Sequence, residues 1–460
     1  MDRPIYQEFL SHFDSEGRFS CPCGRTHTVS VRTVIVEADG LEQGASLLLK
    51  AVGPDARVWV LSDENTEHAA GSRWKAMISP LRIVSRVLPA HPRPVPGAEL
   101  VEELDRDVRA AKPDLLVSVG SGVISDLVKR VSLETGVENW CIATAASVDA
   151  FSSATSAIHV GGFHNAVPAA VSKTIICDLS VIESAPDVMI LAGLGDLLAK
   201  FIAYLDWNLS RIMTGEHYCQ LASSAALESA RLALSAARRL KDEPREAARA
   251  MTDAVLTSGL AMQAIGSSRP AASAEHTVAH FWEIADAVPV ERLDLHGILV
   301  GVASRMVLAG YKAFYRSIEK PRPREAASAR LTSFDAEPPW EQSIEPGLMP
   351  HREKVRAEMG LRKFDKDILS DRLSRFDASR EAILELALPA LDELSGAVEQ
   401  LLQLRYPFSP GELGITRELC LLPSRNARLL RSRYSTFDLA YELGLQQGLS
   451  DEIERYVKSV

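Results

Sequence analysis

The sequence predicts an α/β amino-terminal domain over residues 1–184 and an all-helical carboxy-terminal domain over residues 185–460. Three observations carry that prediction. Short runs rich in Val, Ile and Leu alternate with helix-like stretches up to about residue 180. Beyond about 184, long Ala/Leu-rich segments replace them. A chain of 460 residues also exceeds what one ordinary core accommodates, so two domains are the natural division.

The strand candidates are 32–37 (RTVIVE), 57–62 (RVWVLS), 114–119 (DLLVSV) and 174–179 (TIICDL). Runs of this kind suit strands buried on both faces of a parallel sheet. Stretches such as 43–51 (QGASLLLKA) and 98–111 (AELVEELDRDVRAA) fill the intervals as helices. Helical spacing of apolar residues then dominates 187–208, 219–240, 246–265, 295–316 and 377–405. The boundary is expected near Ser184–Pro186, where a proline precedes a new helix. The Pro-rich, charged stretch 317–350 (KPRPR, EPPW, EPGLMP) reads as a surface excursion or flexible insert.

Composition narrows the function. A formal charge of −10 argues against general nucleic-acid binding and requires a local positive site for any anionic ligand. No segment reads as a membrane span, and MDRPIYQEFL has no apolar signal core. Six cysteines in so long a chain do not form a disulfide framework, so a reducing cytoplasm is the expected setting.

The run 114–119 leads directly into Gly120-Ser121-Gly122-Val123-Ile124-Ser125-Asp126. Glycines let a backbone approach a pyrophosphate, and a helix start offers N–H groups and a favourable dipole. A plain helix cap by Ser125 or Asp126 is the alternative. No third glycine completes a dinucleotide fingerprint. A second loop, Thr144-Ala145-Ala146-Ser147-Val148-Asp149-Ala150-Phe151-Ser152-Ser153, follows the next apolar run. It is either an ordinary turn or a second ligand loop at the carboxyl end of an adjacent strand.

A metal constellation is also legible. His276 and His280 are four residues apart, which puts both imidazoles on one helix face, and His296 opens another apolar helix. Asp196, in GLGDLLAK, is expected in the first turn of a long helix, where a dipole partner is the simpler role and a fourth member of the cluster the other. Imidazoles and one carboxylate suit zinc with open positions for substrate, and such a metal polarises an alcohol or carbonyl oxygen for hydride transfer. A separate stretch, Cys21-Pro22-Cys23-Gly24-Arg25-Thr26-His27, carries the donors of a partial zinc site. Its C-x-C spacing is tight and no fourth ligand is evident, so an ordered terminal loop is the simpler reading.

Together these motifs resemble the sn-glycerol-1-phosphate dehydrogenases, within the iron-containing alcohol dehydrogenase and dehydroquinate synthase-like group. The resemblance runs from about Cys21 to Leu445 through SDENT (62–66), GSGVISDLVK (120–129), TAASVDAFSS (144–153), APDVMILAGLGDLLAKFIAYLDWNLS (185–210), SRPAASAEHTVAHFWE (268–283), HGILVGV (296–302) and RSRYSTFDLAYELGL (431–445). It implies a Rossmann-like domain for NAD(H) or NADP(H), with Asp63 on the adenosine side. Gly120, Gly122, Val123, Ile124, Ser125 and Asp126 with Thr144, Ala145, Ala146 and Ser147 hold phosphates and ribose, and Ser153 lies nearby. It implies a helical domain holding one divalent metal, zinc with nickel or iron as alternatives, on Asp196, His276 and His296. Asp149 and His280 match substrate-contacting positions. The implied reaction is reversible reduction of dihydroxyacetone phosphate to sn-glycerol 1-phosphate by a homo-oligomer.

The chain departs from the family's pattern between Ser153 and Asp178, after His296, and at 317–350. Lys173 and Arg269 are the candidate phosphate contacts, since a dianion needs a cation or several N–H donors. A glycerol or polyol dehydrogenase, a phosphate-eliminating cyclase with more cations, and a non-catalytic nucleotide- and metal-binding homologue are the competing readings.

Overall fold

The computed structural model describes residues 3–160, 163–284, 296–323, 325–342, 344–403 and 409–460. The chain divides into two compact units, Met1–Leu197 with Cys219–Pro270 and Leu198–Tyr218 with Ala271–Val460. Residues 285–295, between the last histidines of the expected metal cluster, fall outside the described set.

In the first unit, a hairpin of β1 (Arg18–Ser20) and β2 (Thr26–Thr28) precedes the sheet strands β3 (Thr33–Glu37), β4 (Arg57–Asp63), β5 (Arg82–Leu88), β6 (Leu115–Gly120) and β7 (Asn139–Ala143). An antiparallel pair, β8 (Thr155–Val160) and β9 (Phe163–Pro168), comes before the last sheet strand, β10 (Thr174–Asp178). The six-stranded sheet has the order β3-β10-β7-β6-β4-β5 and is parallel throughout. Its strands read as continuous apolar runs because both faces are covered. Along β4, Val58 and Val60 join one core with Leu41, Leu48 and Trp74. Trp59 and Leu61 join the other with Leu104, Leu127 and Val131. This is the two-residue side-chain period of a strand set between two helical layers.

From β4 the chain adds β5 on one side, and from β6 it adds β7 and β10 on the other. The neighbours β4 and β6 therefore flank the topological switch point, where the carboxyl ends of parallel strands leave a crevice. The strand β5 escaped the sequence reading because it is the sheet edge. Arg82 and Ser85 are exposed there and Arg86 pairs with Glu103 and Asp107, which blunts the edge against further pairing.

The expected boundary near residue 184 does not match the division into units. The helices Gln220–Ala237 and Pro244–Ile265 belong with the sheet. The second is held to the chain start by Asp253, which accepts the N–H groups of Ile5 and Tyr6 at 2.9 Å each. Its Gly259 is the reason it approaches so closely, since a Cβ there would lie 2.3 Å from the Asp149 carbonyl oxygen. Helical texture alone could not reveal that these helices cover a sheet domain.

The second unit is helical among its described residues. The helix His296–Ser317 lies against Gln446–Ser459, where Gly310 brings the backbone onto Ile453 and Leu449, and against the long helix Lys366–Leu402. The stretch 317–350, expected as a surface excursion or flexible insert, contains the helix Ala326–Asp335 and short turns, with most of its described residues exposed or half-buried. Buried Arg330 fixes it, donating to Glu337 at 2.7 Å and stacking over Tyr441 with 5.1 Å to the ring centroid. Pairing and stacking compensate the guanidinium, which composition could not show.

Two helices, Asp187–Thr214 and His296–Ser317, are long and apolar enough to cross a membrane by length and composition, contrary to the expectation that no segment reads so. Their most apolar windows are 78% and 83% buried inside the protein, as core helices are.

At the carboxyl end of the sheet, Lys129 of the helix Gly122–Thr135 is completely buried. Its ammonium donates to the carbonyls of Ala150 at 2.7 Å and Thr155 at 2.6 Å, to Ser153 Oγ at 3.3 Å, and to Asp126 Oδ1 at 3.2 Å. The other Asp126 oxygen accepts the Ala157 N–H at 3.0 Å. Lys129→Met is expected to lower unfolding free energy by about 3–5 kcal/mol, because it leaves the Asp126 carboxylate buried and unpaired. Urea denaturation measures this, and the added change Asp126→Asn should restore part of the loss.

Candidate active site

Sequence-selected residues of the first unit gather at the switch point. Asp63 ends β4 and caps the turn that follows: its Oδ1 accepts the Thr66 N–H at 2.8 Å, and its own N–H donates to Thr66 Oγ1 at 3.0 Å. Gly120 ends β6, and a Cβ there would lie 2.6 Å from Ile124 Cβ, so the tight turn requires glycine. Gly122, Val123 and Ile124 begin the helix Gly122–Thr135, and no side chain caps it. The cap reading for Ser125 and Asp126 is thereby set aside. Ser125 is buried within the helix, and the Asp126 carboxylate serves Lys129 and Ala157. What this end presents to a ligand is its first backbone N–H groups and the positive end of the helix dipole.

The loop 144–153 follows β7, and its Thr144 N–H donates to the Gly120 carbonyl at 3.2 Å, tying it to the glycine turn. Two glycines on helices let backbone approach the loop. A Cβ at Gly193 would meet the Ala146 carbonyl oxygen at 2.0 Å, and one at Gly259 would meet Ser152 Oγ at 2.2 Å. Ala145 and Ala146 are buried small residues at this contact. Ser153 accepts from Lys129 and donates to the Thr155 carbonyl, so its hydroxyl holds the loop in shape. Ser147 differs: its Oγ is buried and has no hydrogen-bond partner among the described residues. A buried hydroxyl in that state costs free energy unless a ligand or water meets it, so it is open to either.

Asp149 is nearly buried, and its Oδ2 accepts the Ser258 hydroxyl at 2.7 Å. Its N–H lies 3.4 Å from Asp196 Oδ2. Asp196 is not in a first turn. The helix starts at Asp187, immediately after Pro186, and Asp196 lies well inside it, one turn beyond Gly193. A buried carboxylate deep in a helix is no partner of the helix dipole, because that effect fades within the first turn.

Of the two cations considered for phosphate, Lys173 lies at the wrong end of the sheet. Its backbone pairs with Asn139, Arg32 and Thr33, which open β7 and β3, at the amino ends of the strands. Arg269 is buried close to the end of the first unit's last segment.

In the second unit, His276 and His280 ride on the helix Ala274–Ile284, and His296 opens the next described helix. The three rings lie close together, with centroids 5.4 Å apart for His276 and His296, 5.8 Å for His276 and His280, and 5.1 Å for His280 and His296. Each turns Nδ1 to a carboxylate. His276 donates to Glu275 at 2.8 Å, and Glu283 receives His280 at 2.9 Å and His296 at 2.7 Å, one on each oxygen. A carboxylate accepts, so each imidazole carries its proton on Nδ1 when neutral, and Nε2 holds the lone pair that binds a metal. The donor chemistry therefore fits a divalent metal.

The helix that carries His276 and His280 is set by Asp206, also in this unit. Its carboxylate accepts from Ser273 Oγ at 2.7 Å, Tyr311 OH at 3.0 Å, and the Thr436 N–H at 2.9 Å and hydroxyl at 2.8 Å. Burial, with Asp206 alongside, pushes the Tyr311 phenol well above its usual range, so it stays a donor. Glu275, Glu283, Ser258 and Asp206 were missed in the sequence. Glu283 was within reach, because it follows His280 by one helical turn on the same face.

Comparison with known proteins gives an independent line. Residues 35–186 match the family model for iron-containing alcohol dehydrogenase. A glycerol-1-phosphate dehydrogenase [NAD(P)+] of Hyperthermus butylicus is 30% identical over 277 residues, covering 60% of this chain and 78% of that protein. One from Bacillus licheniformis is 27% identical over 300 residues, covering 64% of this chain and 74% of that protein. Among solved structures, a probable glycerol dehydrogenase from Sinorhizobium meliloti superposes with TM-score 0.60 at 16% identity, covering 94% of this chain and 100% of its own. Glycerol dehydrogenase from Schizosaccharomyces pombe gives 0.57 at 16% identity, covering 94% and 92%. At such identity the structures speak for the fold alone.

The close approach at Gly193 can be tested directly. Gly193→Ala is expected to cost about 1–3 kcal/mol of stability, since the backbone carbonyl it meets must move. Gly53→Ala, with open space around it, should change stability by less than about 0.5 kcal/mol. Chemical denaturation of both variants makes the comparison.

Proposed function

Since the chain belongs to the glycerol-1-phosphate dehydrogenase family within the iron-containing alcohol dehydrogenases, we propose that it reduces dihydroxyacetone phosphate to sn-glycerol 1-phosphate with NADH or NADPH. One combination carries the reading in a member of this family: an uncapped helix start at a sheet switch point, and imidazoles each keyed to a carboxylate.

In this reading the first N–H groups of the helix Gly122–Thr135 bind the dinucleotide phosphates, with Thr144, Ala145, Ala146 and Ser147 alongside. The buried Ser147 hydroxyl, without a partner among the described residues, gains one there. Asp63 serves the adenosine side with the oxygen not used to cap Thr66. Ser125, Asp126 and Ser153 act from behind, by fixing the loop and helix that carry those groups. A divalent metal, with Asp196, His276 and His296 as its proposed ligands, supplies a Lewis acid for the substrate carbonyl, and the nicotinamide supplies hydride. Glu275 and Glu283 hold the imidazole tautomers that present Nε2. Asp149, steadied by Ser258, orients substrate hydroxyls, and His280 contacts the substrate from the side of Glu283. Arg269 is the proposed cation for the phosphate ester, now that Lys173 is excluded by its position. The all-N/O donor set is compatible with zinc, nickel or iron. We further read the protein as a homo-oligomer of the reducing cytoplasm, a setting in which its cysteines stay reduced.

The test follows oxidation of NADH and NADPH by metal-reconstituted protein given either dihydroxyacetone phosphate or dihydroxyacetone. Turnover confined to the phosphate ester is expected, and turnover with the unphosphorylated ketone alone, or with neither, would overturn the assignment. His296→Ala should abolish turnover and lose the catalytic metal while the fold persists by circular dichroism. Asp149→Asn should lower kcat/KM by roughly 10- to 100-fold, the worth of about 1.5–3 kcal/mol for a hydrogen bond to a charged group, with cofactor Kd unchanged.

A further inference from the structure

The segment Cys21-Pro22-Cys23-Gly24-Arg25-Thr26-His27 lacked a fourth ligand in the sequence, and the fold supplies one from almost two hundred residues away. The turn between β1 and β2 folds back on itself: the Gly24 N–H donates to the Cys21 carbonyl at 3.0 Å, and the Cys21 N–H to the Arg25 carbonyl at 3.0 Å. Gly24 adopts φ +88°, which only glycine takes readily, so the knuckle is built into the chain. This brings Cys23 Sγ to 3.1 Å from His27 Nε2. Cys219 stands immediately before the helix Gln220–Ala237, where the first unit resumes, and its Sγ lies 3.8 Å from Cys21 Sγ. Ligand atoms of Cys21, Cys23, His27 and Cys219 all lie within 4.8 Å of one another.

We propose that Cys21, Cys23, His27 and Cys219 bind a structural zinc ion, separate from the metal of the dehydrogenase site. The donors are three sulfurs and an imidazole, the soft set that selects zinc, whereas the proposed catalytic ligands are nitrogen and oxygen. Zinc–sulfur bonds of about 2.3 Å in a tetrahedron set the sulfurs roughly 3.8 Å apart, which is the Cys21–Cys219 separation. The same separation is far from the roughly 2.05 Å of a disulfide, and a disulfide would leave Cys23 and His27 unexplained. Four protein ligands close the coordination shell, so the ion has a structural and not a catalytic role. Bound there, the ion clips the amino-terminal hairpin to the helix Gln220–Ala237. The aromatic group around the hairpin, with Phe13 and Phe19 at 5.7 Å and His12 and Phe19 at 5.4 Å, then has a fixed base.

Elemental analysis of the whole 460-residue chain settles this. His296→Ala, stripped of its catalytic metal by dialysis against chelator, is expected to retain one equivalent of zinc per chain. Cys219→Ser and Cys23→Ser are each expected to lose that equivalent and to melt at lower temperature. If either variant fails to fold, wild-type protein grown on cobalt provides the readout. It should show thiolate-to-cobalt charge-transfer absorption in the near ultraviolet and the strong visible bands of a tetrahedral site. Stripped His296→Ala without zinc, cobalt protein without thiolate bands, or a Cys21–Cys219 disulfide found by non-reducing mass spectrometry would each overturn the proposal.

Discussion

A fully buried ammonium needs acceptors all around it, and the demands of Lys129 organise the carboxyl end of the sheet. Its bonds run to its own helix through Asp126, to the loop after β7 through Ala150 and Ser153, and to the start of β8 through Thr155. The loop is not regular enough to define its own position, since loops carry polar backbone that must be satisfied somewhere. The lysine satisfies two carbonyls at once. It thereby holds the glycine turn and the 144–153 loop in one arrangement, within which the uncapped helix start and the Ser147 hydroxyl become available to a ligand.

The same logic of a group made dependable by what stands behind it recurs in the second unit. One carboxylate, Glu283, takes protons from two rings, and Asp206 with its four donors steadies the segment before the helix that bears His276 and His280. Imidazoles held in this way keep the proton on Nδ1 and leave the Nε2 lone pair free to bind.

The sequence was most readable where periodicity and chemistry coincide. The apolar runs of β3, β4, β6 and β10 were visible because both faces of the sheet are buried, and the His276/His280 pair because helical spacing brings four-apart residues together. It was least readable where the third dimension reassigns a residue. Asp126 and Ser153 looked like ligand contacts and turned inward to Lys129. Lys173 looked like a phosphate partner and sits at the amino ends of the strands. Asp196 looked like a helix-start residue, but its helix begins at Asp187. Cys219 had no local motif at all, and only the return of the chain to the hairpin gives it company.

The first unit is not written continuously. Residues 198–218 leave it, and 219–270 come back to complete it. On the ribosome, the sheet can form long before the helix Pro244–Ile265 has emerged, but the loop beside Gly259 and the anchor for Ile5 and Tyr6 cannot. Assembly of the ligand-facing end is therefore deferred until residues 244–265 have been made. A genetic fragment ending at the apparent α/β boundary would encode a sheet without the helices that finish it. For the same reason, the two units cannot have been joined by simple end-to-end fusion of their present halves, since each interrupts the other.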